Sequence, residues 1–257
     1  MKQMKFFLVT LMVVLMGVSV TSCLKGDENN TWQGYNVVKV TDNMIAYVTF
    51  QTIDGYKLVT KNAVSELSGV NEGDFVYMVY TYDSKTDVDP NSKTINITVN
   101  AAQKISDNIV YPVEMNKDEE SDEYKSNKPV IAISDEYLKP QMFDNYNVII
   151  PIQYYAKESL DKHKFSLVYY TDKLKGKDEK EGLTLYLRHK SEETGEALTA
   201  FSYRTFNIRE ALSAYKIKYG SLPANIFIQI QKNSLSNGEV PTTTTPVSFE
   251  YKYNDKL

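Results

Sequence analysis

Short runs rich in apolar side chains, some alternating with polar ones at a period of two, recur along the chain and are cut at short intervals by turn-forming residues. A period of two puts successive side chains on opposite faces of an extended segment, so the pattern predicts β-strands. Tyr35 to Thr41 is rich in Val, and Met44 to Ile53 alternates apolar with polar. Asp54-Gly55 marks a two-residue hairpin leading into Tyr56 to Thr60. Asn71-Glu72-Gly73-Asp74 makes a further turn before Phe75 to Tyr82. In that run Phe75, Tyr77 and Val79 point one way, and Val76, Met78 and Tyr80 the other. Apolar side chains on both faces place the strand at the centre of a sheet, covered on each side. Thr94 to Val99 completes five short strands, which predict a small Greek-key barrel of the oligonucleotide/oligosaccharide-binding (OB) type over residues 35–106.

The pattern breaks at Asn116 to Lys128, NKDEESDEYKSNK, where charge replaces apolar side chains. Such a stretch has too little to bury and reads as an acidic linker, with bounds 107–128. After Pro129 strands resume at Val130 to Ser134, Tyr146 to Tyr155, Lys164 to Tyr170, Leu183 to His189, Thr199 to Phe206, Asn225 to Gln231 and Val247 to Tyr253. They predict an antiparallel β-sandwich over 129–257. One short helix interrupts it: Asn207 and Glu210 have capping-box spacing, Ile208, Leu212 and Tyr215 share a side, and Gly220 stops it. The expected fold class is all-β, a small OB-like barrel followed by a sandwich with one short helix.

The N-terminus follows a different rule. Met1 to Lys5 carries two positive charges, and Phe6 to Val20 is a mostly apolar run, short for a spanning helix of about 20 residues. A basic start, a short apolar middle and a small-residue end read as a secretory signal peptide, residues 1–22. Val20-Thr21-Ser22-Cys23 resembles the lipobox of bacterial lipoproteins, although Val20 stands where Leu is commoner and Ser22 where Gly or Ala is. Sulfur is the nucleophile that accepts the lipid, so Cys23, the single cysteine, is the expected attachment site. Residues 23–34 read as a flexible tether. Leu24-Lys25-Gly26-Asp27-Glu28 resembles the lysine-plus-acidic signal that sends Bacteroidota lipoproteins to the cell surface, so an outer-membrane anchor is expected, with surface display favoured over the periplasmic leaflet.

Taken together, the lipobox, the Asp54-Gly55 hairpin, the Gly73-Asp74 turn before an aromatic strand, and LTLYLRHK followed by YRTFNIREAL resemble the NigD-like lipoproteins of Bacteroidota. The resemblance implies an N-terminal barrel joined to a C-terminal sandwich. It implies no reaction, and no functional residue besides Cys23.

Composition narrows the function further. Of 29 basic residues, 27 remain once Lys2 and Lys5 leave with the leader, against 33 acidic ones. An acidic chain without a basic cluster argues against nucleic acid as a partner. With Cys23 lipidated no disulfide is available, so stability rests on burial, for which 20 Tyr and 10 Phe supply surface. No nucleophile elbow, P-loop or dinucleotide fingerprint occurs, no cofactor is implied, and the chain reads as a non-enzyme. His163 and His189 read as ordinary surface histidines at strand edges, with no metal role. Asp87, Asp89 and Asn91 space oxygens like the opening of a calcium loop, but Ser92 and Thr98 stand where Gly and Glu are needed, so a plain turn is the simpler reading. The acidic run Asp118 to Glu123 is a second place where calcium is conceivable. The adjacent pairs Tyr154-Tyr155 and Tyr169-Tyr170 are each expected to send one ring inward and one outward. The expected role is a membrane-anchored binding module for a glycan or another envelope protein. The alternative is a structural, assembly or bacteriocin-immunity accessory, with Val247 to Tyr253 as a strand to donate.

Overall fold

The computed structural model describes residues 30–44, 47–61, 67–106, 108–114, 125–134, 139–157, 160–175, 182–193, 198–234 and 243–250. The signal peptide, Cys23, most of the tether and the acidic run therefore lie outside the described residues. The first domain contains β1 (Thr31–Asn43), β2 (Val48–Thr52), β3 (Lys57–Thr60), β4 (Phe75–Asp83), β5 (Val88–Asp89) and β6 (Thr94–Lys104). Its sheet runs β3-β2-β1-β4-β6-β5, and a parallel pairing of β3 with β6 closes it into a five-stranded barrel. Three antiparallel strands followed by two that close on the first and third is the OB order, as the alternation predicts. The barrel interior holds Val38, Val40, Phe50, Leu58, Met78 and Ile97.

Two glycines explain local choices. Gly55 adopts φ 81° in the β2–β3 hairpin, a left-handed conformation that L side chains avoid. Gly34, on β1, lies beneath the Tyr80 ring, and an added Cβ would come within 2.4 Å of the ring carbon Cζ. Tyr80 packs there with its hydroxyl accepting a hydrogen bond from Asn36 Nδ2 at 2.9 Å. Since β1 begins at Thr31, residues 31–34 belong to the barrel and not to the expected tether.

The second domain packs a five-stranded sheet, ordered β14-β13-β11-β10-β7, on a three-stranded one, β12-β9-β8. Its strands are β7 (Ile109–Val113), β8 (Gln141–Met142), β9 (Asn147–Ala156), β10 (His163–Tyr170), β11 (Leu183–Ser191), β12 (Leu198–Asn207), β13 (Asn225–Ile230) and β14 (Thr245–Glu250). The core between the sheets is built from Val148, Ile150, Ile152, Leu167, Leu185, Phe206, Ile226 and Ile228.

Three expectations are corrected here. The sandwich is mixed and not antiparallel throughout: β7 pairs with β10, and β11 with β13, in parallel. Parallel neighbours need a crossover, and β12 with the following helix supplies one between β11 and β13. Secondly, β7 falls inside the expected linker 107–128, so the second sheet starts almost where the barrel ends. Thirdly, Tyr169 and Tyr170 are both buried. Tyr169 enters the main core, while Tyr170 joins Val113, Val168 and Tyr186 in a small apolar cluster on the other face of its sheet.

The helix α1 (Arg209–Tyr219) buries Ala211, Leu212 and Tyr215 against the sandwich core. Ile208 occupies the N-cap and makes no capping bond with its side chain; Asn207 Oδ1 instead accepts from the Arg209 N–H at 3.1 Å. Gly220, at φ 79°, ends the helix with its N–H on the Lys216 carbonyl. β14 pairs with β13 over six residues and so completes its own sheet. Among the described residues no helix is long and apolar enough to cross a membrane.

Candidate functional site

The two domains meet along the outer face of β4, the strand whose two apolar faces predict cover on each side. Its inward residues Val76, Met78 and Tyr80 fill the barrel, and outward Phe75 and Tyr77 meet the sandwich. Phe75 packs edge-on against Phe143 with centroids 5.0 Å apart. Tyr77 stacks on Tyr203 of β12, also at 5.0 Å. Lys39 Nζ reaches Asp144 at 2.9 Å, and this ion pair, with the Tyr146 N–H and Asn147, holds the Asp144 carboxyl below the usual range against the opposing effect of burial. The Thr205 N–H and hydroxyl both donate to the Ile105 carbonyl, and Asn108 Nδ2 bridges the Ile105 and Thr205 carbonyls at 2.7 and 3.1 Å. The barrel is thus docked on the sandwich by aromatic packing, an ion pair and backbone hydrogen bonds.

One stretch of this junction stays open to solvent. Tyr35, 41% exposed, lies beside Tyr77, whose hydroxyl is pushed up by burial and then by Tyr35. Tyr77 stacks on Tyr203, and Phe201 meets Tyr203 edge-on at 5.0 Å. Tyr77, Tyr203 and Phe201 are each half-buried. The result is three aromatic rings in contact, Tyr77 on the barrel with Tyr203 and Phe201 on the sandwich, and Tyr35 beside them on β1. Tyrosine offers an apolar face with a polar tip, which suits contact with a partner that is itself part apolar and part polar. Local spacing does not group these residues: Tyr35 and Tyr77 meet through the β1–β4 pairing, and Tyr203 joins them only when the two domains dock.

The remaining candidates are placed as follows. The Asp87 carboxylate pairs with Lys61 and accepts the Asp83 N–H at 2.7 Å. Asp89 accepts from the Asn91 N–H at 3.0 Å and the Ser92 hydroxyl at 2.7 Å, and Asn91 follows in the turn. Both carboxyls are held below their ordinary range; burial opposes this at Asp87, where Lys61 and the Asp83 N–H prevail, and at Asp89 Ser92 is the largest cause. These oxygens are committed to a turn, and among the described residues no group of His, Cys, Asp and Glu is arranged to hold a metal ion.

His163 and His189 are not surface residues, and the expectation is corrected: they are 5% and 1% exposed. His163 lies in phase with Phe165, Leu167 and Tyr169 on β10, and His189 with Leu183, Leu185 and Leu187 on β11. The same alternation that predicts the strands therefore carries both rings into the core, a signal present in the sequence. There the rings contact each other, His163 Nδ1 to His189 Nε2, at 2.9 Å. His163 Nε2 lies 3.0 Å from Glu193 Oε2, and His189 Nδ1 lies 2.9 Å from the Pro129 carbonyl oxygen. Phe165 stacks on His189 at 4.5 Å, and Tyr154 packs against both imidazoles. Burial is the main reason His189 is brought down to about 3, and burial likewise lowers His163, against the pull of Glu193.

Comparison with solved structures places this architecture. A candidate lipoprotein of Bacteroides fragilis is 28% identical with a TM-score of 0.71, over 88% of this chain and 100% of that one. A Bacteroides vulgatus protein of unknown function aligns at 14% identity and TM-score 0.57, over 88% and 93% of the two chains. A NigD-like immunity protein of Bacteroides caccae aligns at 12% identity and TM-score 0.52, over 88% and 99%. No family model matches the chain, and a search of the curated proteins finds no match. The two-domain fold implied by the resemblance to NigD-like lipoproteins is borne out by these neighbours.

Proposed function

We propose that this protein is a cell-envelope lipoprotein, anchored in the outer membrane through lipid on Cys23 and displayed at the surface in preference to the periplasmic leaflet. We further propose that it acts there as a non-enzymatic binding module. The leader, the lone cysteine and the likeness to the B. fragilis candidate lipoprotein support the anchor. The aromatic cluster of Tyr35, Tyr77, Tyr203 and Phe201 carries the binding reading, because Tyr35 is exposed, the other three are half-buried, and both domains contribute to it. Its flat faces and hydroxyl tips suit a saccharide, whose rings present C–H faces edged by hydroxyls.

Calorimetry with the soluble body and envelope polysaccharide fragments tests the binding reading. Heat of binding that is lost in Tyr35→Ala supports it, and binding indifferent to that change removes it. Labelled palmitate tests the anchor: incorporation should vanish in Cys23→Ser. A second reading is an accessory or immunity role, suggested by the name of the B. caccae neighbour, with which only the fold is shared. Recovery of one stoichiometric envelope protein on the wild type, with no saccharide bound, supports that reading.

A further inference from the structure

The buried histidine pair sets a counting problem that its neighbours decide. Both ends of the chain are acceptors: the Pro129 carbonyl has no proton to give, and an ionised Glu193 has none either. Between them stand two imidazoles and three contacts, at 2.9, 2.9 and 3.0 Å. Each contact needs one proton, but two neutral imidazoles supply only two. If His189 donates to Pro129 and His163 donates to His189, the lone pair of His163 Nε2 faces the carboxylate. Reversing both tautomers satisfies Glu193 and sets the His189 lone pair against the Pro129 carbonyl. Every neutral arrangement therefore leaves at least one contact between two acceptors. Water has little access, since the His163 and Glu193 side chains are 1% and 7% exposed.

We propose that His189, His163 and Glu193 form one proton-binding unit, which takes up a single proton in mild acid where two separate histidines would take up two. The third proton completes all three contacts. The cation it creates is offset by Glu193, whose Oε2 is fixed by the Lys157 N–H at 2.6 Å. A fourth proton has no acceptor left in the chain and would place a second cation beside the first. The charges facing the unit reinforce that limit. Arg204 on β12 lies over the Phe165 ring at 5.5 Å, and both Arg204 and Lys128, in the segment before Pro129, oppose a cation on either ring. Glu193, beyond β11, is the favourable charge; Tyr154 on β9 and Phe165 on β10 supply apolar walls.

The unit is also a fastening point. The His189 N–H donates to Ser126 Oγ, and its carbonyl accepts from the Asn127 and Lys128 N–H groups. The Asn127 side chain bonds both the carbonyl and the N–H of Ser191, at 2.9 Å each. The residues that follow the acidic run are thereby tied to the β11 edge at the proton-binding unit. Its protonation state and the seating of that segment are coupled by these contacts.

The chain has two histidines, so nitrogen-15 NMR of the ring nitrogens is simple to read. In the full soluble body from pH 8 to 4, the nitrogens of both rings should move together in one step that adds one proton in total. Glu193→Gln should abolish that step. Its amide either donates its own N–H to His163 or presents a neutral oxygen that no longer offsets a cation. Two separate steps in the wild type, no step at all, or a step unchanged in Glu193→Gln would each overturn the proposal. The wild-type proton count decides the matter even if the variant does not fold.

Discussion

Of the two cores, the barrel's is lined by Val38, Phe50, Leu58, Met78 and Ile97, whereas the sandwich's carries His163, His189 and Tyr154 among its aliphatic side chains. The polar groups buried in the barrel are mainly threonines that bond back to the chain, as Thr60 Oγ1 does to the Val48 N–H at 2.9 Å. Asp87, its buried carboxylate, is held below its ordinary range and stays ionised near neutrality. Among the described residues the barrel therefore has no buried group that changes charge between pH 8 and 5, whereas the sandwich has the buried histidine pair. Two domains docked on one another thus respond differently to acid.

The comparison breaks most visibly when each core is cut separately. Phe50→Ala and Phe206→Ala each remove a fully buried ring and are expected to cost about 3–5 kcal/mol. Domain-resolved hydrogen exchange should show protection lost first around the cavity: in the barrel for Phe50, in the sandwich for Phe206. Gly34→Ala is expected to destabilise the barrel by about 1–3 kcal/mol, because its Cβ meets the Tyr80 ring. Replacing Tyr80 by Leu in the same chain should recover part of that loss in thermal unfolding.

The pH dependence sharpens the contrast. Both histidines are lowered in the folded protein, His189 to about 3, while the unfolded chain protonates near the ordinary value of about 6.5. Their contribution is thus fully present above that value and is lost as the pH falls toward the folded values. A native deficit of one proton corresponds to about 1.4 kcal/mol of sandwich stability per pH unit below that value. Urea unfolding at pH 7, 6 and 5 measures this slope, and Glu193→Gln should steepen it. The smallest expected effect is at the junction. Lys39→Ala removes a partly exposed ion pair to Asp144 and should cost at most about 1 kcal/mol, with salt dependence lost by the same amount.

The strands were legible because alternation records burial directly. Asp54-Gly55, Gly73 and Gly220 marked chain reversals that need left-handed backbone, and all three glycines have it. Two apolar faces on Phe75 to Tyr82 foretold that something covers the barrel, although which element does so depends on docking. Parallel pairing was not legible, since partners such as Leu183 and Ile226 are joined through a crossover and local pattern carries no strand direction. β7 was missed because Ile109–Val113 is a five-residue strand beside a charged run that dominates its neighbourhood. The burial of the histidine pair is legible for a different reason. Each ring is in phase with its apolar neighbours, so its position in the strand records burial although its residue type is polar. The junction aromatics depend on tertiary contacts between residues as far apart as Tyr77 and Tyr203, which no local spacing records.

Hydrogen exchange of the soluble body at pH 7 and pH 5, corrected for the intrinsic effect of pH, tests the difference between the domains most directly. Amides of β9, β10 and β11 should lose protection at pH 5 while those of β1, β4 and β6 keep it. Equal loss in both domains, or undiminished protection in the sandwich, would contradict the assignment of acid sensitivity to the buried histidines.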